Sequence, residues 1–81
     1  MPIVSAVIYT RPEDTDNVAF RLGADSRLTV SPPCHDRFAL VADTRTRAED
    51  KALWRAVQDL ENVLRIEVVM AHFEDLHQEV S

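Results

Sequence analysis

Apolar and polar residues alternate along four short stretches of this chain and recur at helical spacing along two others. The alternating stretches are rich in β-branched residues and predict strands at Ile3–Tyr9, Arg27–Val30, Arg37–Asp43 and Val63–Ala71. The two helical stretches lie between the first and second strands and between the third and fourth. The predicted order of elements is therefore β-α-β-β-α-β.

Each predicted helix carries recognisable end signals. Pro12 suits a first helical turn, and Gly23 lies where a C-terminal cap is wanted. The second helix opens with the capping box Thr46–Glu49. We expect Trp54 at the border of its apolar stripe and Asp50 on the polar side. The stripe itself is Ala48, Ala52, Leu53, Ala56, Val57 and Leu60.

This order predicts an α+β fold, the ferredoxin-like split βαβ sandwich. It has a four-stranded antiparallel sheet in spatial order 4-1-3-2, with both helices on one face. Two prolines at positions 32 and 33 exclude a helix or a central strand from the connection between the second and third strands. We expect one domain over residues 1–73, followed by an acidic C-terminal tail over residues 74–81.

Successive side chains of a strand point to opposite faces of the sheet, so the pattern also predicts which residues face the helices. The helix-facing set is Val4, Ala6, Ile8, Leu28, Val30, Phe38, Leu40, Ala42, Ile66, Val68 and Met70. The opposite set is Ser5, Val7, Tyr9, Arg27, Thr29, Ala39, Val41, Glu67, Val69 and Ala71. The middle of this second set is apolar and its margins are charged, as in a binding surface. Alternatively, its β-branched residues only supply strand propensity.

Composition narrows the classes of function. The chain has 81 residues and a net charge of −5. The negative charge argues against a nucleic-acid partner and weakly favours a cationic one. The single cysteine indicates a reducing compartment. The first apolar run lacks a basic flank and is too short for a signal peptide or a membrane span, so we expect a cytoplasmic protein without stable membrane insertion.

Histidine and cysteine residues suggest catalytic or metal chemistry, but their pattern does not support it. His72 and His77 are five residues apart and have no third strong ligand at a recognisable interval, so we expect no metal. Cys34 and His35 are adjacent and have no orienting third group, so we expect no enzyme activity. A single glycine excludes a glycine-rich phosphate loop, and we expect no cofactor.

Three stretches of the sequence resemble the NapD family: VSAVIYTRPED, LVAD and, above all, VLRIEVVMAHFEDL. The resemblance implies a ferredoxin-like fold and a cytoplasmic chaperone of the periplasmic nitrate reductase catalytic subunit. Such a chaperone binds the twin-arginine signal peptide of that subunit and holds back export until the cofactor has been inserted.

A partner of this kind needs an apolar strip beside carboxylates that can bind arginine bidentately. The predicted peptide-binding residues are Val7, Tyr9, Val41, Glu67, Val69, His72, Glu74 and Asp75. Asp43 is a further candidate carboxylate. We expect a monomer or a weak dimer. Alternatively, the acidic tail only aids solubility.

A second class of function stays open from the sequence. Ferredoxin-like domains also serve as small-molecule-sensing regulatory (ACT-like) modules, which dimerise through sheet edges. Those modules tend to carry a glycine-bearing turn after the first strand. This chain has Thr10–Pro12 at that place, which favours the chaperone.

Overall fold

The computed structural model describes residues 2–73 and contains one four-stranded antiparallel sheet and two helices. The elements are β1 Pro2–Thr10, α1 Thr15–Gly23, β2 Leu28–Val30, β3 Arg37–Asp43, α2 Arg47–Gln58 and β4 Val63–Phe73. The strands lie in the order β2-β3-β1-β4, which confirms the predicted ferredoxin-like fold and its strand order. The predicted tail, residues 74–81, lies outside the described residues.

The core lies between the sheet and the helices. Leu40 on β3 is fully buried whereas its neighbour Val41 is half-buried, so the predicted phase of β3 is confirmed. Burying a leucine of this kind stabilises the fold by roughly 1.5–3 kcal/mol. The core is made of Ile8, Val18, Ala19, Leu22, Leu28, Phe38, Leu40, Ala42, Leu53 and Val57.

A buried threonine pair fixes the end of β1 against the following helix and a distant loop. The hydroxyls of Thr10 and Thr15 are 2.7 Å apart, and the Thr15 hydroxyl also donates to the carbonyl of His35 at 2.8 Å. The backbone N–H of Thr10 donates to the carbonyl of Asp36 at 2.8 Å. His35 itself adopts a left-handed conformation, with φ of 57°. The loop before β3 is therefore held close to the C-terminal end of β1.

The start and end of α1 differ from the predicted signals. The helix begins at Thr15, and residues 12–14 form the turn that precedes it. Gly23 is the last helical residue and has no positive φ, so it is not a left-handed cap. Ala24 ends the helix with ordinary right-handed geometry instead.

The predicted Thr46 cap of α2 is confirmed, although the Glu49 carboxylate accepts from the Arg45 N–H at 2.7 Å and not from the Thr46 N–H of a full capping box. The buried face of the helix is rotated from the predicted one. The N–H of Glu49 donates to the Thr46 hydroxyl at 3.0 Å. Asp50, expected on the polar side, is only 8% exposed and accepts a hydrogen bond from the Trp54 indole at 3.0 Å. The alanines at positions 48, 52 and 56 are exposed. The prediction was wrong because alanines look apolar in a pattern but contribute little area, so Trp54 with its hydrogen-bonded partner takes the inner face.

Arg27 was predicted on the face away from the helices, and this is wrong. It precedes β2, and its guanidinium donates to the Asp25 carboxylate at 2.7 Å and to Glu49 on α2 at 3.2 Å. Both carboxylates lie on the helix side of the molecule and draw the side chain there.

Neither helix among residues 2–73 is long and apolar enough to cross a membrane.

Candidate binding face

The face of the sheet opposite the two helices, here called the open face, is organised in rows of residues paired across three strands. In β1 every second residue from Ile3 to Tyr9 is half-buried and points to this face, while the residues between them are buried. The strand registers give four rows, each written in the order β3, β1, β4. They are Asp43, Ile3 and His72; Val41, Ser5 and Met70; Ala39, Val7 and Glu67; and Arg37, Tyr9 and Arg65.

A β-bulge in β4 decides which of its residues belong to this face. Ala6 pairs with Val68, whereas the preceding residue, Ser5, pairs with Met70, so Val69 is the extra residue. In a bulge two residues of one strand oppose one residue of the other, and the alternation shifts by one position. Val69 and Met70 therefore both lie opposite Ser5, on the open face.

The predicted phase of β4 is wrong beyond this bulge. Met70 was expected beneath the helices and lies on the open face, 52% exposed. Ala71 was expected on the open face but pairs with Val4, a core residue. Val68 has the predicted orientation, on the side of Ala6, yet it is 59% exposed because α1 and α2 do not cover this part of the edge strand.

An apolar strip lies across the two middle rows and consists of Val7, Val41, Val69 and Met70, beside the polar residues Ser5 and Glu67. Val7 and Val41 are half-buried at its centre. Val69 and Met70 extend the strip to the edge strand and are 66% and 52% exposed. Because large apolar side chains are grouped here rather than scattered, the strip has the character of a contact surface.

One end of the strip is built around Tyr9, the only tyrosine of the chain. Arg37 on β3 and Arg65 on β4 lie directly opposite it in the two registers, with guanidinium carbons 5.1 Å and 4.3 Å from the ring centroid. The Tyr9 hydroxyl donates to the Glu67 carboxylate at 3.1 Å. Both arginines are within the distance at which a cation is attracted by the face of an aromatic ring.

The two arginines beside Tyr9 are held differently. Arg37 donates to the Asp36 carboxylate at 3.1 Å, and this hydrogen bond raises the pKa of the Arg37 guanidinium. Arg65 forms an ion pair with Glu67 at the longer distance of 3.8 Å, and its side chain is 63% exposed. An exposed pair at this distance contributes little, so Arg65 is the more loosely held of the two.

The structure brings several of the sequence-predicted site residues together. Val7, Tyr9, Val41 and Glu67 share the open face as expected, and Val69 joins them at the bulge. The backbone of His72 pairs with Ile3 at the far end from Tyr9. Glu74 and Asp75 lie outside the described residues.

Sequence reasoning missed four residues of this face: Ile3, Arg37, Arg65 and Met70. The two arginines flank Tyr9 only because of the registers of β3 and β4, which the alternation pattern does not fix. A charged residue two positions before Glu67 was a usable signal for Arg65, since it shares that face.

Metal and nucleophilic chemistry gain no support from the described residues. Among the side chains that the structure describes, no three histidine, cysteine, aspartate or glutamate residues are grouped as a metal site would require. Cys34 is exposed and forms an isolated bridge with Arg37 at the base of a loop.

Comparison with solved structures identifies a protein of the same architecture, the E. coli Tat proofreading chaperone NapD, whose solution structure is similar with a TM-score of 0.77. The match covers 90% of this chain and 79% of that one, at 17% sequence identity. This chain has the NapD fold. No protein-family model matches it, and no curated protein does either. The resemblance to NapD seen in the sequence is thus confirmed at the level of the fold.

Proposed function

We propose that this protein is a cytoplasmic chaperone that binds the twin-arginine signal peptide of a periplasmic nitrate reductase catalytic subunit. By covering the peptide, it would hold back export until the cofactor of that subunit has been inserted. The observation that carries the proposal is the open face, an apolar strip that ends at an arginine-binding arrangement of tyrosine and glutamate. The NapD fold supports the proposal as an analogy.

The apolar stretch of the peptide packs against the strip in this proposal. Val7 and Val41 lie at its centre, and Val69 and Met70 carry the largest exposed area. Covering this area removes apolar surface from water at roughly 25 cal/mol per Å². No cavity is needed, since an amphipathic helix or an extended peptide can bind a shallow apolar face.

The paired arginines of the peptide bind at the Tyr9 end. A guanidinium placed over the Tyr9 ring can stack on it and donate to the Glu67 carboxylate, which lies 3.1 Å from the Tyr9 hydroxyl. Lysine keeps the charge but lacks the planar fork that a carboxylate binds with two hydrogen bonds. The net charge of −5 speeds the encounter with a cationic peptide.

Calorimetric titration with a synthetic twin-arginine signal peptide tests this proposal. We expect the wild type to bind, and the same peptide with both arginines exchanged for lysine to bind more weakly. Tyr9→Ala removes an aromatic anchor from the end of the strip and should cost about 2 kcal/mol, or roughly 30-fold in Kd. Absence of binding to the wild type would overturn the proposal.

The lysine peptide separates two interpretations of a positive result. If lysine replaces arginine without loss of affinity, the open face binds apolar helices in general and does not recognise the twin-arginine motif. If the wild type binds the arginine peptide and Tyr9→Ala binds it equally well, the binding surface lies elsewhere on the molecule.

A further inference from the structure

We infer that Arg65 is an internal occupant of the arginine site on the open face, and that an incoming arginine must displace it. This inference rests on the proposed function and deepens it, because it assigns the residue that sets the affinity and selectivity of that site.

Arg65 already makes the contacts that a ligand arginine would make. Its guanidinium carbon lies 4.3 Å from the centroid of the Tyr9 ring, and one guanidinium nitrogen lies 3.8 Å from Oε1 of Glu67. The Tyr9 hydroxyl donates to the same carboxylate oxygen. A second guanidinium cannot take the same ring face and the same carboxylate oxygen while Arg65 remains there, since like charges in one site repel.

Arg65 can also leave this position at little cost. It lies on the edge strand β4, immediately after the irregularity in register between Tyr9 and Thr10. Its side chain is 63% exposed, so water can solvate the guanidinium once it swings away. Arg37 on the other side of Tyr9 is held to Asp36 at 3.1 Å and is the less exchangeable cation.

The displacement makes the site selective. A ligand cation binds only if it gains more from the ring and the carboxylate than Arg65 loses, so weak or poorly shaped cations are excluded. The guanidinium of a ligand arginine makes the same two contacts, with the Tyr9 ring and the Glu67 carboxylate, that Arg65 gives up. The apolar stretch of the peptide packs on the strip and supplies the additional free energy of binding. In the unbound chain, Arg65 itself neutralises the Glu67 carboxylate and covers one side of the Tyr9 ring.

The test removes Arg65 and measures the affinity for the twin-arginine peptide. We expect Arg65→Ala to bind it about three- to tenfold more tightly than the wild type, the size that a cation–π contact and an exposed ion pair together supply. Lys51→Ala is the matched control, because Lys51 is exposed on α2 and its removal changes the net charge equally. The control should bind with less than a twofold change.

A double-mutant cycle shows whether the gain comes from the freed site. In a Glu67→Gln background, Arg65→Ala should give a smaller gain, because the carboxylate that Arg65 vacates is no longer there. An equal gain in both backgrounds, or a gain no larger than that of Lys51→Ala, would overturn the inference. Weaker binding by Arg65→Ala would overturn it too, since Arg65 would then hold the ligand.

A small ligand separates failure of this inference from failure of the proposed function. N-acetyl-arginine amide can be titrated while the ring signals of Tyr9, the only tyrosine, are followed by NMR. Arg65→Ala should shift these signals at a lower ligand concentration than the wild type does. If the signals shift in this way but no signal peptide binds, the displaced-arginine site stands and the proposed function fails. If the peptide binds but Arg65→Ala gives no advantage with either ligand, only the inference fails.

Discussion

Met70 provides a sharp test of the open face, because the bulge at Val69 moves it from the core to the surface. Met70→Ala removes three heavy atoms, worth roughly 0.8 kcal/mol each when fully buried. Since 52% of Met70 is exposed in the unbound chain, binding can cover at most this exposed half of the side chain. The expected loss is therefore about 1.2 kcal/mol, or about eightfold in Kd for the twin-arginine peptide.

The assay needs two readouts and one control. Calorimetric titration gives the Kd, and urea unfolding gives the free energy of unfolding, which should fall by no more than about 1.2 kcal/mol because only the buried half of the side chain contributes to folding. Phe20→Ala is the control, since Phe20 is 80% exposed but lies on α1, away from the open face. It removes more exposed apolar area and should leave the peptide affinity unchanged.

Two results would refute this reasoning. If Met70→Ala lowers the free energy of unfolding by about 2–5 kcal/mol, Met70 is a core residue and the register beyond the bulge is different. If Phe20→Ala weakens peptide binding as much as Met70→Ala does, the peptide does not select the open face.

Two further predictions concern the fold. Hydrogen bonds from Arg27 lower the pKa of Asp25. The Arg45 backbone N–H, together with Arg27, lowers the pKa of Glu49. Both carboxylates therefore add stability above about pH 4, and this stability is lost as the pH falls through their folded-state pKa values. The Tm of Arg27→Ala should accordingly lie below that of the wild type at pH 7, with the gap closing in acid; a gap that does not change with pH would contradict this. Trp54→Phe should cost about 1–3 kcal/mol in urea unfolding, since it leaves the buried Asp50 carboxylate without its indole donor, whereas unchanged stability would show that this hydrogen bond is not needed.

Alternation and capping signals were sufficient to predict the fold. β1 and β3 keep strict alternation over their whole length, so the positions of Ile8 and Leu40 in the core follow from the period of two alone. The start of α2 was predictable for a different reason. The Thr46 hydroxyl accepts from the Glu49 N–H, and this local hydrogen bond depends on neighbouring residues only.

The bulge and the long-range polar contacts could not be predicted in this way. The run of residues 68–70 in β4 is apolar throughout, so the sequence carries no mark of the extra residue that turns Met70 outward. Asp50 was predicted on the polar side because a charged residue is rarely buried; its bond to Trp54, four residues along α2, is local, but which face of α2 packs against the sheet is decided by tertiary packing. The arginines that flank Tyr9 come from two other strands, and only the register shows that they meet.

The most direct test of the proposed function is to locate the bound peptide by NMR. Intermolecular NOEs can be recorded between an unlabelled twin-arginine peptide and protein labelled at its valine and alanine methyl groups and at the Tyr9 ring. We predict NOEs from the apolar stretch of the peptide to Val7 and Val41, and from its arginine side chains to Tyr9. NOEs to the exposed alanines of α2, Ala48 and Ala52, without any to Val7 or Val41, would contradict binding at the open face.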